Sequence, residues 1–218
     1  MFKSIFQLFR IARKLASSGA VETVNEIYNI PFSIKLFFDL FSIGSQKKLI
    51  NKTKKPGEKL CGALEEMGTT FIKLGQFLAT RPDIIGEALA DDLVKLQDKL
   101  PPFELYESKK ILKREIGESL YQNIVELSEP IAAASIAQVH IAKIKIDGTQ
   151  KDFAVKILRP NIEKQFNEEL DALMLFAYIT ESLFSKTKRL KLVEVVHLLR
   201  EITNIEMDLR FEAAAANE

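Results

Sequence analysis

Lys156 closes the tetrapeptide Phe153-Ala154-Val155-Lys156, in which apolar residues alternate as they do on a half-buried strand. A lysine carried on a sheet presents its ammonium as a fixed point charge, the form in which lysine binds phosphate. The plainer reading of the same four residues is a solvated lysine at a strand edge. Upstream, Ile131-Ala132-Ala133-Ala134-Ser135 makes a small-residue turn that runs into Ile136-Ala137-Gln138-Val139. Backbone N–H groups in such a turn can cradle an anion, and glycine serves best because it lacks a Cβ and reaches positive φ. Three alanines keep the N–H groups, restrict φ and narrow the approach; the turn reads equally well as one packed beneath a helix. Lys73 and Gln76 in Lys73-Leu74-Gly75-Gln76 stand three apart and share a helix face, with Gly75 letting another surface come close. The alternative there is an exposed polar strip. Glu206-Met207-Asp208 offers paired carboxylates that bind Mg²⁺, bridge lysines or stand solvated.

Several elements must position these groups. "MFKSIFQLFRIARKLA" is amphipathic: at about 100° per residue Lys3, Arg10 and Lys14 fall on one face, with Phe2, Ile5, Phe6, Phe9 and Ala12 opposite. That helix either packs on the body of the protein or lies on a membrane or partner surface. "PFSIKLFFDLFSIG" reads as a buried or interfacial helix, and the basic, Pro-Gly-bearing Ser45–Lys59 as a linker. Leu60, Leu64, Met67, Phe71, Leu74 and Leu78 recur at helical spacing; Arg81-Pro82-Asp83 starts a second helix, and Pro101-Pro102 closes it. A helix over Glu104–Gly117 follows. From Asn123 the period changes to two: "NIVELSEP", "SIAQVHIAKIKI" and "KDFAVKIL" read as strands, the last two joined by an Asp147-Gly148 turn. After Pro160 helical spacing returns, over "NIEKQFNEELDALMLFAYITESLF" and "LVEVVHLLREITNIEMDLRFEAAAANE". The fold class is α+β, with expected domains 1–59, 60–122 and 123–218.

Composition narrows the function. A net charge of +1 argues against a dedicated nucleic-acid binder. A single cysteine, Cys61, excludes an internal disulfide framework and any Cys-rich zinc site, and points to a cytosol-facing chain. No window of 18 uncharged apolar residues suggests a transmembrane helix, and the N-terminus lacks signal-peptide features. His140, on a strand, and His197, on a helix, read as structural.

Taken together, the lysine strand, the alanine turn, the K-L-G-Q helix and the E-x-D pair resemble the UbiB family of atypical kinase-like proteins, also called the aarF-domain family. Lys73-Leu74-Gly75-Gln76 resembles its K-x-G-Q signature, "PIAAASIAQVH" its alanine-rich loop, "FAVKILRP" its lysine strand and "EMDLRFEAAAANE" its E-x-D region. The lysine strand is also similar to that of protein kinases, whose V-A-I-K sets an ammonium on the α and β phosphates. The resemblance implies a kinase-like N-lobe with a helical extension, and ATP with Mg²⁺ as cofactors. It implies that Lys156 contacts phosphates, that Ile131 to Val139 cradle the nucleotide, and that Lys73, Gly75 and Gln76 line and occlude the pocket. Glu206 and Asp208 would face Lys73 or replace the kinase helix-C glutamate, with Glu201 a weaker candidate. The implied output is ATP-dependent support of ubiquinone biosynthesis at the cytoplasmic side of the inner membrane. Its partners would be ATP, ubiquinone-biosynthesis proteins or lipid intermediates, and the membrane surface.

A kinase-like enzyme also needs a catalytic-loop Asp, a metal-binding Asn and the D-F-G aspartate, and these 218 residues contain none in context. The expectation is a chain inactive alone, completed by a C-lobe carried elsewhere. The alternative is a non-catalytic remnant acting as a membrane- or protein-interaction module.

Overall fold

The computed structural model describes residues 2–18, 20–28, 32, 35–36, 39–40, 55–96 and 100–216, with the side chains of 2–5, 26–28 and 185–186 excepted. Most of the 31–44 segment and residues 45–54 of the expected linker lie outside the described residues. The chain divides into two compact units, residues 1–97 with 164–205, and residues 98–163 with 206–218. Each is discontinuous, whereas the sequence reading drew contiguous boundaries at 59 and 122.

The first unit is helical. It holds α1 (Phe2–Ser18), α2 (Ala20–Tyr28), α3 (Pro56–Met67), α4 (Thr69–Ala79), the short α5 (Pro82–Ile85), α6 (Glu87–Leu93), and most of α8 (Ile162–Leu183) and α9 (Leu192–Met207). Proline at the first position of α3 and of α5 starts each without losing a helical hydrogen bond. The single period seen from Leu60 to Leu78 is two helices, because Gly68 at φ 99° breaks the path between α3 and α4. Their shared face is buried all the same: Leu60, Leu64, Met67, Phe71 and Ile72 are buried, as are Leu89 and Leu93 of α6, the helix that contacts both.

α1 packs on this body by the edge of its apolar face that carries Ala12, and not by its phenylalanines. Ile11, Ala12 and Ala16 are buried, with Ala12 and Ala16 against Val21 and Phe176, while Phe6 and Phe9 stand 71% and 52% exposed. Alanine lets α1 approach closely. The basic residues then reach the body, Arg10 to Glu169 at 3.2 Å and Lys14 to the Met67 carbonyl at 2.7 Å. α8 and α9 are tied by Glu181, which caps α9 through the Val193 N–H at 3.1 Å, and by Arg200 on Asp171 at 2.7 Å. Among the described residues no helix is long and apolar enough to cross a membrane.

The second unit is the α+β part. α7 (Leu105–Tyr121) precedes a four-stranded antiparallel sheet of β1 (Ile124–Leu127), β2 (Ala132–Ala133), β3 (Ala137–Ile146) and β4 (Thr149–Leu158). α7 breaks at Gly117, φ 79°, where the sequence ended it, then adds a last turn. β3 is the central strand: β4 lines one edge, and β1 and β2 share the other end to end. Leu112 of α7 buries against Leu127, Ala142 and Ile157, with Phe103, Ile116 and Val155 around them. This is the small antiparallel sheet with flanking helix expected of a kinase-like N-lobe.

Candidate functional site

The register of the β3–β4 hairpin decides what can stand beside Lys156. Asp147 and Gly148, at φ 50° and 80°, form the tight turn whose twist suits adjoining antiparallel strands. That turn pins Ile146 opposite Thr149 and, along the ladder, Val139 opposite Lys156 and Ile141 opposite Ala154. β2 adds Ala132 opposite Val139. Directly opposed residues share a sheet face, so Ala132, Val139 and Lys156 form a row across three strands, with Ile141 and Ala154 beside it. Ala132, Ile141 and Ala154 on this face are exposed, and Val139 and Lys156 half-buried. The opposite face carries Gln138, His140, Ala142 and Ile157, all buried. One face thus makes the core, and the other presents a small apolar floor beside the Lys156 ammonium, with Lys143 and Lys145 farther along β3 on the same face.

The tip of Lys156 meets a carboxylate that the sequence reading did not single out. Its Nζ lies 2.5 Å from Oε2 of Glu212 on α10 (Leu209–Ala215), with the lysine 32% and the glutamate 61% exposed. Glu206, Asp208 and Glu201 had been expected to supply such a carboxylate. Asp208 does other work. At φ −84° and ψ 87° it ends α9, and it caps α10 by accepting from the Arg210 N–H at 3.1 Å. Its carboxylate also accepts two bonds from the Arg210 guanidinium, at 2.8 and 2.6 Å, which hold its pKa below the usual carboxylate value. The signal was present in the sequence, since Asp-Leu-Arg is a plausible cap and a helix begun there places Glu212 one turn in. Glu206 lies in the last turn of α9, in the second unit, and Glu201 lies exposed on α9.

The alanine turn is a hairpin, and none of its residues has positive φ. Ile131 N–H donates to Val139 O and Ala134 N–H to Ala137 O, both at 2.8 Å, leaving Ser135 and Ile136 as a two-residue tip. A turn of this shape does not need glycine. Ser135, Ile136, Ala137 and Gln138 are buried, while Ile131 and Ala132 are exposed and Ala133, Ala134 and Val139 half-buried. Gln138, expected within the cradle, spends its amide inside the unit. Its Oε1 accepts from the Phe103 N–H at 2.9 Å, and the two Nε2 hydrogens are shared among the Phe103 carbonyl at 3.0 Å, Ser108 Oγ at 2.9 Å and His140 Nε2 at 3.0 Å. His140 Nδ1 lies 2.7 Å from the Ser128 carbonyl, which can only accept, so Nε2 is the acceptor 3.0 Å from Gln138 Nε2. This matches the structural reading of His140.

Sequence reasoning missed Arg159, three residues beyond Lys156. Its guanidinium donates to the Ala134 carbonyl at 2.8 and 3.1 Å, to Pro101 O at 3.0 Å and to Leu100 O at 3.3 Å. An arginine just past a strand end gives no periodic signal, so only the assembled turn shows what it holds.

Lys73, Gly75 and Gln76 lie on α4, in the first unit, with Lys73 and Gln76 half-buried. Gly75 is buried, and a Cβ there would stand 2.8 Å from Leu64 Cδ1 and 3.4 Å from a Leu96 methyl, so Leu64 and Leu96 are the surface its missing side chain admits. Among the described residues no three His, Cys, Asp or Glu side chains gather as a metal site.

Comparison with known proteins shows the family. The ABC1 atypical kinase-like domain matches residues 95–218. A protein from Marinobacter nauticus named "Probable protein kinase UbiB" is 36% identical over 97% of this chain and 38% of its own length. Proteins of the same name from Vibrio cholerae serotype O1 and Azotobacter vinelandii are 34% and 38% identical, over 96% and 72% of this chain and 38% and 29% of their own lengths. The chain spans about two fifths or less of the curated relatives it matches. With its lysine strand, alanine hairpin and K-x-G-Q helix in place, the chain belongs to the UbiB family of ABC1 atypical kinase-like proteins.

Proposed function

We propose that the second unit is the nucleotide-binding half of an atypical kinase-like protein, with Lys156 as the phosphate contact and the Val139–Ile141–Ala154 floor beneath the base. The observation that carries this reading is the placement of Lys156, partly exposed on the open sheet face and bonded at its tip to Glu212. Ammonium offers three N–H donors, so Lys156 can keep Glu212 and still take a phosphate oxygen. The carboxylate fixes where that ammonium waits, which lowers the ordering cost of binding. ATP fits this donor set: one held cation, small exposed apolar neighbours, and a hairpin without bulky side chains at Ala132, Ala133 and Ala134. Mg²⁺, which accompanies ATP in kinases, finds no ligand cluster among the described residues, and this reading gives it no step on this chain.

The relatives' printed name and the family resemblance extend the proposal to the longer protein. There the nucleotide site would serve ATP-dependent support of ubiquinone biosynthesis at the cytoplasmic face of the inner membrane, and the stiff alanine hairpin would disfavour ordinary protein phosphorylation. A second reading, an interaction module without catalysis, has its own support in Phe6 and Phe9, exposed on α1 beside exposed Arg13. Calorimetric titration of Mg²⁺-ATP into this chain and a Lys156→Ala variant tests the first reading. Binding that weakens about tenfold or more in the variant supports it, since a hydrogen bond to a charged group contributes about 1.5–3 kcal/mol. A folded wild-type chain that binds no nucleotide sinks it and leaves the interaction module.

A further inference from the structure

We propose that Arg159 is the positioning residue of this site: it locks the alanine hairpin into one conformation, so that affinity for a nucleoside triphosphate depends on it and affinity for the bare nucleoside does not. The proposal rests on the nucleotide reading above and deepens it.

Three things bring the hairpin under the control of one side chain. β4 ends at Leu158, so Arg159 leaves the ladder beside the tip of the β2–β3 hairpin, and its own N–H donates to the Ile136 carbonyl at 2.9 Å. Its guanidinium takes the Ala134 carbonyl through Nη2 and Nε, at 2.8 and 3.1 Å. The tip residues Ser135 and Ile136 are therefore bracketed by carbonyls that Arg159 holds. Because a trans peptide is planar, pinning the Ala134 carbonyl also fixes the plane that carries the next N–H. The rest of the fork anchors elsewhere, on Pro101 O at 3.0 Å and Leu100 O at 3.3 Å, with Cζ 5.9 Å from the centre of the Phe103 ring. Phe103 is itself locked to Gln138 through both its N–H and its C=O. Arginine suits this task because its planar fork reaches several carbonyls at once, which a lysine ammonium on a flexible stem does not.

A glycine-rich loop leaves its conformation to the ligand. Here the alanines restrict φ, and Arg159 removes what freedom remains. The phosphate-facing side is then preformed, and the cost of ordering it falls on folding rather than on binding. The adenine-facing floor, set by the β3–β4 register, owes nothing to Arg159.

The test uses the full chain with Arg159→Ala and Arg159→Lys, titrated with ATP and with adenosine, alongside hydrogen exchange of peptides covering 131–139. The expected result for Arg159→Ala is a Kd for ATP raised about tenfold, adenosine unchanged within about twofold, and faster exchange in the hairpin. Arg159→Lys should fall between, since it keeps the charge and loses the fork. Equal weakening for both ligands, or hairpin exchange at the wild-type rate, overturns the proposal. Should the wild-type chain bind neither ligand, the nucleotide reading fails and the affinity half of this proposal with it, while the exchange rates still decide whether Arg159 holds the hairpin.

Discussion

Replacing Gln138 with leucine separates a structural role for this residue from the ligand-facing role that its place after the alanine turn suggests. The side chain is fully buried, and its amide serves the Phe103 N–H and C=O, Ser108 Oγ and His140 Nε2. Leucine fills nearly the same volume and offers none of these bonds. Ser108 sits within α7 and can turn its hydroxyl to a carbonyl of its own helix. The Phe103 N–H, the Phe103 C=O and the His140 nitrogen have no such recourse. Leaving a buried polar group unpaired costs about 1–3 kcal/mol, and leucine's added apolar burial returns about 1 kcal/mol. With three groups left unpaired, the net loss is at least about 2 kcal/mol of second-unit stability. Because the chain forms two compact units, a single global melting curve mixes them. Hydrogen exchange of peptides covering 103–121 across a urea series reads the second unit's own opening free energy. A Gln138→Leu chain within about 0.5 kcal/mol of wild type, yet weaker for nucleotide, would refute the reasoning and return Gln138 to the cradle.

Other perturbations probe the remaining parts. Gly75→Ala gains about 1 kcal/mol of helix propensity but crowds Leu64, 2.8 Å from the new Cβ, at an overpacking cost of about 1–3 kcal/mol. It should therefore melt lower, whereas Gly62→Ala on α3, where a Cβ meets nothing within 4 Å, should melt higher; the opposite order in thermal unfolding would contradict this packing. Cys61 has its thiol pushed up to about 11, by burial first and then by the carboxylates of Glu65 and Asp92. Iodoacetamide should accordingly modify it roughly a hundredfold more slowly at pH 8 than an ordinary thiol, with a rate still climbing past pH 10. Asp208 has a folded pKa below its unfolded one, chiefly through the Arg210 hydrogen bonds. Its support for α10 is complete above the unfolded value, near pH 4, and is lost as pH falls through the folded one. Amide exchange in 209–215, corrected for intrinsic rate, should rise as pH falls below about pH 4, and Asp208→Asn should flatten that rise.

The strands show how far local pattern carries. Three alternating runs and an Asp-Gly turn were enough to place β1, β3 and β4, because side chains alternate at period two and the turn residues accept positive φ. β2 is two alanines long and offers no alternation to read. The helices show the limit of periodicity. The pattern from Leu60 to Leu78 continues across Gly68 because the buried stripe persists while the backbone breaks, and the run from Leu192 onward hides a break at Asp208, beyond which α10 buries no residue. On α1, hydrophobicity ranked phenylalanine above alanine for burial. The packed helix buries Ala12 and Ala16 instead, since close approach to a neighbour depends on small volume.

The candidate site divides the same way. Residue types and spacing alone determined the family, the lysine strand, the alanine turn and the small antiparallel sheet, because each is a short-range property of the chain. Which carboxylate answers Lys156, which residue holds the hairpin, and whether Gln138 faces a ligand or the core are long-range matters. They join Lys156 to Glu212, Arg159 to Ala134 and Pro101, and Gln138 to Phe103. Sequence fixes which groups are available to pair, but a pairing across dozens of residues is set by where helices break and by strand register, and only the tertiary structure decides both.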